Sequence, residues 1–265
     1  MRPGAQQVIA LGFGQAGQQG PAGRRRRDAQ AVQEAIAGKA SAKAAFSQAW
    51  MDGTLQRHHF ARWAENHYHY VGPFADYLGY IYNNARDEQD GVKDLLLQSM
   101  YEFRHLQEGE AMVSHTDLLI RFAQACGTTR ERVESPQACN PITRGMQAWC
   151  YATAIRESPV VATAALLVGL ASQIPQIYAR QIVPLRDPRV YGFSEHEVAF
   201  FALRITSDGA HAERGYRIVL DGATTPALQQ RCLQFVRWGA EMRYAYAQAI
   251  YDQYVAPDLG ARRVD

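Results

Sequence analysis

Nearly the whole chain after its first segment carries the spacing of amphipathic helices. From Asp28 onward, apolar residues recur three and four positions apart, without an alternating strand pattern or a two-residue hairpin signal. After a first helix that begins at Asp28, further helices are predicted at about 41–51, 54–84 with a kink at Pro73, 90–107, 114–126, 140–157, 159–183, 194–220 and 225–253. Their short connections predict an all-α protein, a single compact helical bundle.

The ends of the chain differ from this bundle in composition. We predict a flexible leader at 1–28, a helical domain at 29–255 and a C-terminal tail at 256–265. The leader is rich in Gly and Gln and ends in a run of arginines, which is typical of disordered tails. It also contains a Gly12-x-Gly14-x-x-Gly17 pattern, but the residues that follow cannot begin the helix that a dinucleotide site needs.

Composition limits the classes of function. The chain has 265 residues, of which 47% are hydrophobic, enough for one substantial core. Its net charge of +2 comes largely from the arginine run, so we expect no nucleic-acid partner. No run approaches the roughly 20 apolar residues of a membrane span, and no secretory signal is recognisable. Four scattered cysteines without a CxxC pair are typical of a reduced, cytoplasmic protein.

One predicted helix carries a row of ionisable side chains. Arg204, Asp208 and His211 are spaced by four and three residues, which places them on one helix face. Such a row can ligate a metal, hold an anionic substrate or transfer a proton. The alternative is an ordinary solvated face with an i, i+4 ion pair.

A second helix adds another imidazole and two candidate carboxylates. His115 lies near its start, and Glu108 precedes it by seven residues, so the two share a face if the helix runs through Gly109. Glu102 lies further upstream. Together with Asp208 and His211, these residues suit iron or manganese in the two-His-one-carboxylate style. Alternatively, both glutamates are exposed helix residues.

The aromatic-rich helix could line a ligand cavity. His67 and His69 flank Tyr68 and point to different faces, so at most one of them points inward with Tyr70. An aromatic-lined cavity between helices would fit a planar or apolar small molecule, with His67 in the pocket. Aromatic core packing explains the same residues.

Several segments together resemble one superfamily. They are segment 49–55, the Tyr/His-rich helix that follows that segment, segments 115–127 and 172–178, and the helix that contains residues 204–211. Over about residues 40–253 the chain resembles the superfamily of pyrroloquinoline-quinone synthase, the Chlamydia death-domain-associating protein and the haem-oxygenase-like metal oxidases. The resemblance implies a seven-helix bundle of the haem-oxygenase-like type, a homodimer, and the use of O2 on a small-molecule biosynthetic intermediate.

The resemblance also shows where this chain departs from the di-iron members. Those carry Glu and His on one helix, a Glu just before Ser-Gln-Ile-Pro, and then His-x3-Asp-x2-His. His115, Asp208 and His211 match that pattern, whereas Ala171 and Arg204 replace two of the six ligands. An alanine cannot ligate and a guanidinium repels a cation, so a full di-iron centre is not expected.

The remaining matches imply one ion at most, or none. One Fe2+ would be held by His115, His211 and a carboxylate from Asp208 or Glu108. Conversely, Arg204 is similar to what the metal-free quinone synthase has at this position, facing substrate and oxygen. The quinone synthase's substrate-binding arginine in the tyrosine-rich helix is replaced here by His67.

The leading hypothesis is an oxygen-dependent oxidase or oxygenase. Its catalytic residues would be Arg204, His211 and His115, and its substrate-binding residues His67, Tyr70 and Arg204. Two alternatives stay open. One is a non-catalytic binding or partner protein that kept the fold and lost the site. The other is a hydrolase like the thiaminase-type (TenA-like) members of the same fold, for which Cys150 is the candidate nucleophile.

Overall fold

A computed structural model describes residues 21–86 and 89–261, and these form a helical bundle. Its α-helices are α1 (Pro21–Ala37), α2 (Ala45–Met51), α3 (Arg57–Val71), α4 (Phe74–Asn84), α5 (Asp90–Arg104), α6 (His115–Ala125), α7 (Arg130–Glu134), α8 (Pro141–Arg156), α9 (Pro159–Thr163), α10 (Ile174–Arg186), α11 (Ala199–Gly222), α12 (Pro226–Ile250) and α13 (Ala256–Ala261). Two π-helical segments, Ala164–Ala171 and Tyr251–Val255, join α9 to α10 and α12 to α13. A short antiparallel hairpin consists of β1 (Leu106–Glu108) and β2 (Ala111–Val113).

The all-α prediction is confirmed, but several predicted helices are divided. The helix predicted at 54–84 breaks before Phe74 into α3 and α4, and the one at 159–183 contains a π segment. The described residues therefore contain more than seven helical segments. α1 begins at Pro21 rather than Asp28, and α13 lies within the predicted tail. The division into leader, domain and tail stays a prediction, and the Gly12 pattern lies outside the described residues.

The hairpin between α5 and α6 was not predicted. Its strands pair Glu108 with Ala111 across a two-residue turn, in which Gly109 has a φ of +59°. Glycine adopts this left-handed backbone readily, so the turn is possible at this position. The hairpin ends α5 at Arg104 and prevents the continuous helix on which the shared face of Glu108 and His115 depended.

Side-chain caps fix the starts of two helices that carry functional residues. The Ser114 hydroxyl accepts a hydrogen bond from the backbone N–H of Asp117 and so begins α6 immediately before His115. Thr225 does the same for α12, with Pro226 at the first helical position. Both arrangements satisfy N–H groups that a helix start otherwise leaves unpaired.

The centre of the bundle is the continuous segment from α9 to α10. Every residue of its π part, Ala164–Ala171, is buried, and α11 and α12 pack against it. Contrary to the sequence-based expectation, the stretch Pro159–Arg186 is long and apolar enough to cross a membrane. However, 83% of its most apolar window is buried inside the bundle, and a core helix has the same composition.

We predict that Gly239→Ala destabilises the protein because α12 touches the π segment at this glycine. A Cβ there would collide with the backbone oxygen of Ala165, which cannot move aside like a flexible side chain. We expect a loss of about 1–3 kcal/mol in the free energy of unfolding, measured by urea denaturation. Gly145→Ala is the matched control, since nothing lies within 4 Å of its Cβ position, and it should stabilise α8 by about 0.5–1 kcal/mol. Equal effects at the two sites would contradict this account.

Candidate functional site

The ionisable face of α11 points into the protein core. Arg204, Asp208 and His211 are each at most 2% exposed, so the alternative of a solvated face is wrong. Arg204 Nε donates a hydrogen bond of 2.9 Å to Asp208 Oδ2. The other carboxylate oxygen, Asp208 Oδ1, lies 3.5 Å from His211 Nδ1. The three side chains predicted to share a face therefore form one buried cluster.

α6 brings His115 to the same cluster. Its Nδ1 lies 2.8 Å from the carbonyl oxygen of Phe103, which can only accept, so Nδ1 carries the proton. This leaves the lone pair of His115 Nε2 buried and, among the residues that the structure describes, without a hydrogen-bond partner. The His115 and His211 ring centroids are 6.4 Å apart, and Phe103 packs against both rings. His115 therefore presents an unoccupied basic nitrogen inside the core.

The carboxylate that completes the cluster is Glu102, not Glu108. Glu102 lies on the last turn of α5, and its Oε2 is 2.9 Å from His211 Nε2 and also accepts a hydrogen bond from Arg214. Glu108 lies on β1, where Arg121 donates to both of its oxygens at 2.5 and 2.8 Å. The hairpin turn carries Glu108 away from the helix face on which the prediction had placed it.

Burial and charge set the protonation states of the cluster. Burial, reinforced by the positive charge of Arg204, lowers the pKa of His115 to about 3. Burial alone would raise the pKa of Asp208, but the Arg204 guanidinium and the nearby His211 imidazole lower it to about 2. Near neutral pH, the cluster therefore contains a neutral His115 imidazole beside a buried Arg204–Asp208 ion pair.

The cluster does not form a preassembled metal site. Within residues 21–86 and 89–261, its candidate ligand atoms do not form a group of three that all lie within 4.8 Å of one another. In addition, Asp208 Oδ2 and Glu102 Oε2 already accept hydrogen bonds from arginines. These two arginines would compete with a bound ion for the two oxygens, and the candidate ligand atoms are not gathered around one point, so the residues present do not fit a resident iron in this arrangement.

A second buried network surrounds His67 and Tyr70, the other two predicted binding residues. His67 Nδ1 lies 3.2 Å from the Tyr246 hydroxyl, and its Nε2 lies 3.2 Å from the Tyr178 hydroxyl. The Tyr70 hydroxyl accepts a hydrogen bond of 2.7 Å from Arg243 Nη1. Both predicted residues are 1% exposed, so they lie in the core.

Arg204 connects the two networks. Its guanidinium lies 5.8 Å from the ring centroid of Tyr178, which in turn is bonded to His67. Burial lowers the pKa of His67 well below its usual value, and the positive charges of Arg204 and Arg243 lower it further. A neutral His67 can donate to one tyrosine and accept from the other, which explains both short contacts.

A small buried cavity lies next to the second network rather than between His115 and His211. Its volume is about 20 Å³, and the residues that line it are at most 6% exposed. They are Ser41, Phe46, Ser47, Trp50, Trp63, Ile177, Tyr178, Gln181, Arg243, Tyr246 and Ala247. His115 and His211, which were expected to line a cavity, do not line this one.

Sequence reasoning missed two buried arginines, Arg214 and Arg243. Arg214 donates to Glu102 and to Ser99, and it is 9% exposed. Arg243 is 5% exposed and belongs to the core-facing stripe of α12. A cation at an apolar helical position was the signal that could have identified Arg243.

The structure does not support Cys150 as the nucleophile of a hydrolase. Cys150 lies on α8 with no exposed surface, and burial raises the pKa of its thiol far above the usual value. The thiolate is the reactive form of cysteine, so a thiol held protonated in the core is inert.

Comparison with known proteins agrees with this architecture. The pyrroloquinoline-quinone synthase of Granulibacter bethesdensis is 25% identical over 224 residues, which is 78% of both chains. The same enzyme of Rhizobium meliloti is 28% identical over 145 residues, covering 52% of this chain and 53% of the relative.

Solved structures share the fold at low identity. A TenA homolog from Pseudomonas syringae pv. tomato superimposes with a TM-score of 0.71 at 17% identity, covering 91% of this chain and 99% of the other. A haem-oxygenase-like domain from Shewanella denitrificans gives 0.67 at 14% identity, covering 88% and 92%. The model of the family described as iron-containing redox enzymes matches residues 61–244, from within α3 to within α12. Because this match covers most of the bundle, the chain belongs to the family of iron-containing redox enzymes.

Proposed function

We propose that the protein is an oxygen-dependent oxidase of an anionic small-molecule biosynthetic intermediate. Its catalytic residues would be Arg204, His115 and His211, with His67 and Tyr70 on the substrate side. The family membership and the similarity to pyrroloquinoline-quinone synthases support a biosynthetic oxidase-type function. The use of O2 and the assignment of these residues are part of the proposal.

The observation that carries the proposal is a pair of unpaired polar groups in the buried cluster. Arg204 Nη1 is a donor and His115 Nε2 an acceptor, and neither has a hydrogen-bond partner within residues 21–86 and 89–261. Unpaired buried groups are costly, so they are retained where a bound molecule completes them. Fixed donors in a dry core also stabilise developing negative charge far better than they would in water.

These groups suit a two-electron oxidation. The substrate gives up two electrons and two protons, and O2 takes them up to become hydrogen peroxide. Arg204 would hold the anionic substrate or the reduced oxygen, and His115 Nε2 would accept a proton from the substrate. His211 is next to Glu102, whose side chain is 27% exposed, so this pair would exchange protons with solvent.

Iron has no assigned step in this proposal, because the cluster does not present a preassembled site. Asp208, His115, His211 and Glu102 are the residues that could hold an ion after rearrangement. We expect metal analysis of protein expressed with added iron to give at most one iron per chain. Two tightly bound irons per chain would contradict the arrangement of the cluster.

The test measures O2 uptake with the precursor from which the relatives make pyrroloquinoline quinone. The wild type should consume O2 and release peroxide in equal amounts. His115→Gln should lose at least about a hundredfold in kcat, because general-base catalysis contributes 10²–10⁴-fold. Arg231→Gln is the control, since that residue is about half exposed and forms a surface pair with Glu157.

The same experiment separates the binding-protein alternative. Binding of pyrroloquinoline quinone without O2 uptake, unchanged in His115→Gln, would favour a non-catalytic protein that kept the fold. If the protein showed no O2 uptake and no binding of pyrroloquinoline quinone, the similarity to the quinone synthases would not be a valid guide to the substrate.

We also propose a cytoplasmic homodimer without nucleic-acid or membrane partners. The similarity to biosynthetic enzymes supports the compartment. Exposed apolar side chains on α5, Leu97 at 53% and Tyr101 at 59%, support a contact between copies. Light scattering on the full chain should give twice the 29.6 kDa monomer mass.

A further inference from the structure

Arg243 is a buried cation without a counter-charge among the described residues. Its Nε donates to Ser41 Oγ at 3.1 Å and its Nη1 donates to the Tyr70 hydroxyl at 2.7 Å. Among residues 21–86 and 89–261, no carboxylate forms an ion pair with Arg243, and both of its hydrogen bonds go to hydroxyl groups. The buried Arg204 and Arg214 differ from it, because each is paired with a carboxylate.

The neighbours of Arg243 do not supply the missing charge. Burial raises the pKa of Tyr70, although Arg243 opposes this, and burial also raises the pKa of Tyr246 and Tyr178. All three phenols are therefore neutral at physiological pH. A buried charge without compensation is strongly unfavourable, so a permanent cation here calls for an anion.

The cavity beside Arg243 has room and donors for such an anion. Its volume of about 20 Å³ exceeds the minimum for a water-sized occupant. Trp50 also lines it, and its Nε1 is a buried donor without a partner in the part of the chain that the structure describes. Ser47 and Gln181 also line it, are at most 5% exposed, and form no side-chain hydrogen bond within the described parts of the chain.

We propose that this cavity is a subsite for one small monovalent anion, either a carboxylate group or a halide-sized ion. Arg243 provides the charge, and Trp50 Nε1–H donates a hydrogen bond. Ser47 and Gln181 complete the shell with their polar side chains. Tyr178 and Tyr246 border the cavity and also hold His67, so the subsite adjoins the Arg204 cluster without including it. The proposal does not depend on the oxidase activity.

The first test is thermal unfolding with formate or bromide, against gluconate of equal ionic strength as a bulky control. Saturating formate or bromide should raise the wild-type Tm by about 5–10 °C at one hundred times the Kd. Arg243→Gln should abolish this shift. Arg237→Gln, which changes an exposed arginine of the same helix, should leave it intact.

The two anions distinguish the sources of the ligand. A shift with both would support a site for any small monovalent anion, and a shift with formate alone would support a carboxylate from an organic ligand. A shift with neither, or an equal shift in wild type and Arg243→Gln, would overturn the proposal.

A second test does not require a stable variant. Crystals of the wild-type protein soaked in bromide should show an anomalous peak within hydrogen-bond distance of Arg243 and Trp50 Nε1. Bromide found only on the surface would exclude a halide-sized ion at this site, and together with the absence of a formate-induced Tm shift it would overturn the proposal, whatever the result for O2 uptake. Failure of the oxidase assay together with a peak in this cavity would leave the subsite standing.

Discussion

Arg204→Met should lower the free energy of unfolding by about 3–5 kcal/mol, the largest single effect that we expect in this protein. The variant leaves the Asp208 carboxylate in the core, 2% exposed and without its cation. In contrast, the double variant Arg204→Met/Asp208→Leu should recover most of the loss, because it removes both buried charges. Urea denaturation of the two single variants and the double variant measures the coupling energy directly.

The half-buried pair between Arg121 and Glu108 is the matched control. Its side chains are 23% and 27% exposed, so solvent screens their interaction. Breaking it with Arg121→Met should cost at most about 1 kcal/mol. A similar cost at both pairs would mean that Asp208 has access to solvent or to another cation.

Stability should fall steeply as the pH drops below about 6.5, because His115 and His67 are held neutral in the native state. Their native pKa values lie below the usual value of 6.5, for His115 at about 3. In this window each unfolded imidazole binds a proton that the folded one does not. His115 therefore removes about 1.4 kcal/mol per pH unit, or about 2–3 kcal/mol between pH 6.5 and 4.5, and His67 lowers the stability in the same direction.

His115→Gln tests this dependence, because it removes one of the buried histidines that bind a proton in the unfolded state but not in the native state. Urea denaturation between pH 7 and 4.5 should show a slope smaller by about one proton. Gly145→Ala changes stability without changing a titrating group, so its slope should equal that of the wild type. Asp208 does not contribute in this window, since its stabilisation is lost only as pH falls from about 3.8 towards 2. An unchanged slope in His115→Gln would show that His115 is protonated or solvated when folded.

The reach of sequence reasoning is clearest on α11. The spacing of Arg204, Asp208 and His211 was sufficient to place them on one face, since helix geometry repeats every 3.6 residues. The spacing could not show whether that face was exposed to solvent or buried. Packing of α5, α6 and α10 against α11 decided this, and it turned a possible surface ion pair into a buried one.

The choice between Glu102 and Glu108 shows where local patterns end. Counting residues from His115 favoured Glu108, because seven residues are two helical turns. The count assumed an unbroken helix, but Gly109 allows a hairpin turn. The sequence around it has no alternation of apolar and polar residues that would predict strands. In the hairpin, Glu108 accepts a hydrogen bond from Arg121. Glu102, on the last turn of α5, lies next to His211 instead.

The sequence by itself determined the all-α class, most helix positions and the three-residue face of α11, because these follow from short-range periodicity. Only the tertiary structure decided which carboxylate completes the cluster, that the Cys150 thiol is inert, and that Arg243 lacks a counter-charge. Each of these depends on contacts between residues far apart in the chain, such as Arg243 with Ser41 and Tyr70. Burial and charge compensation are properties of such contacts, and helical spacing carries no information about them.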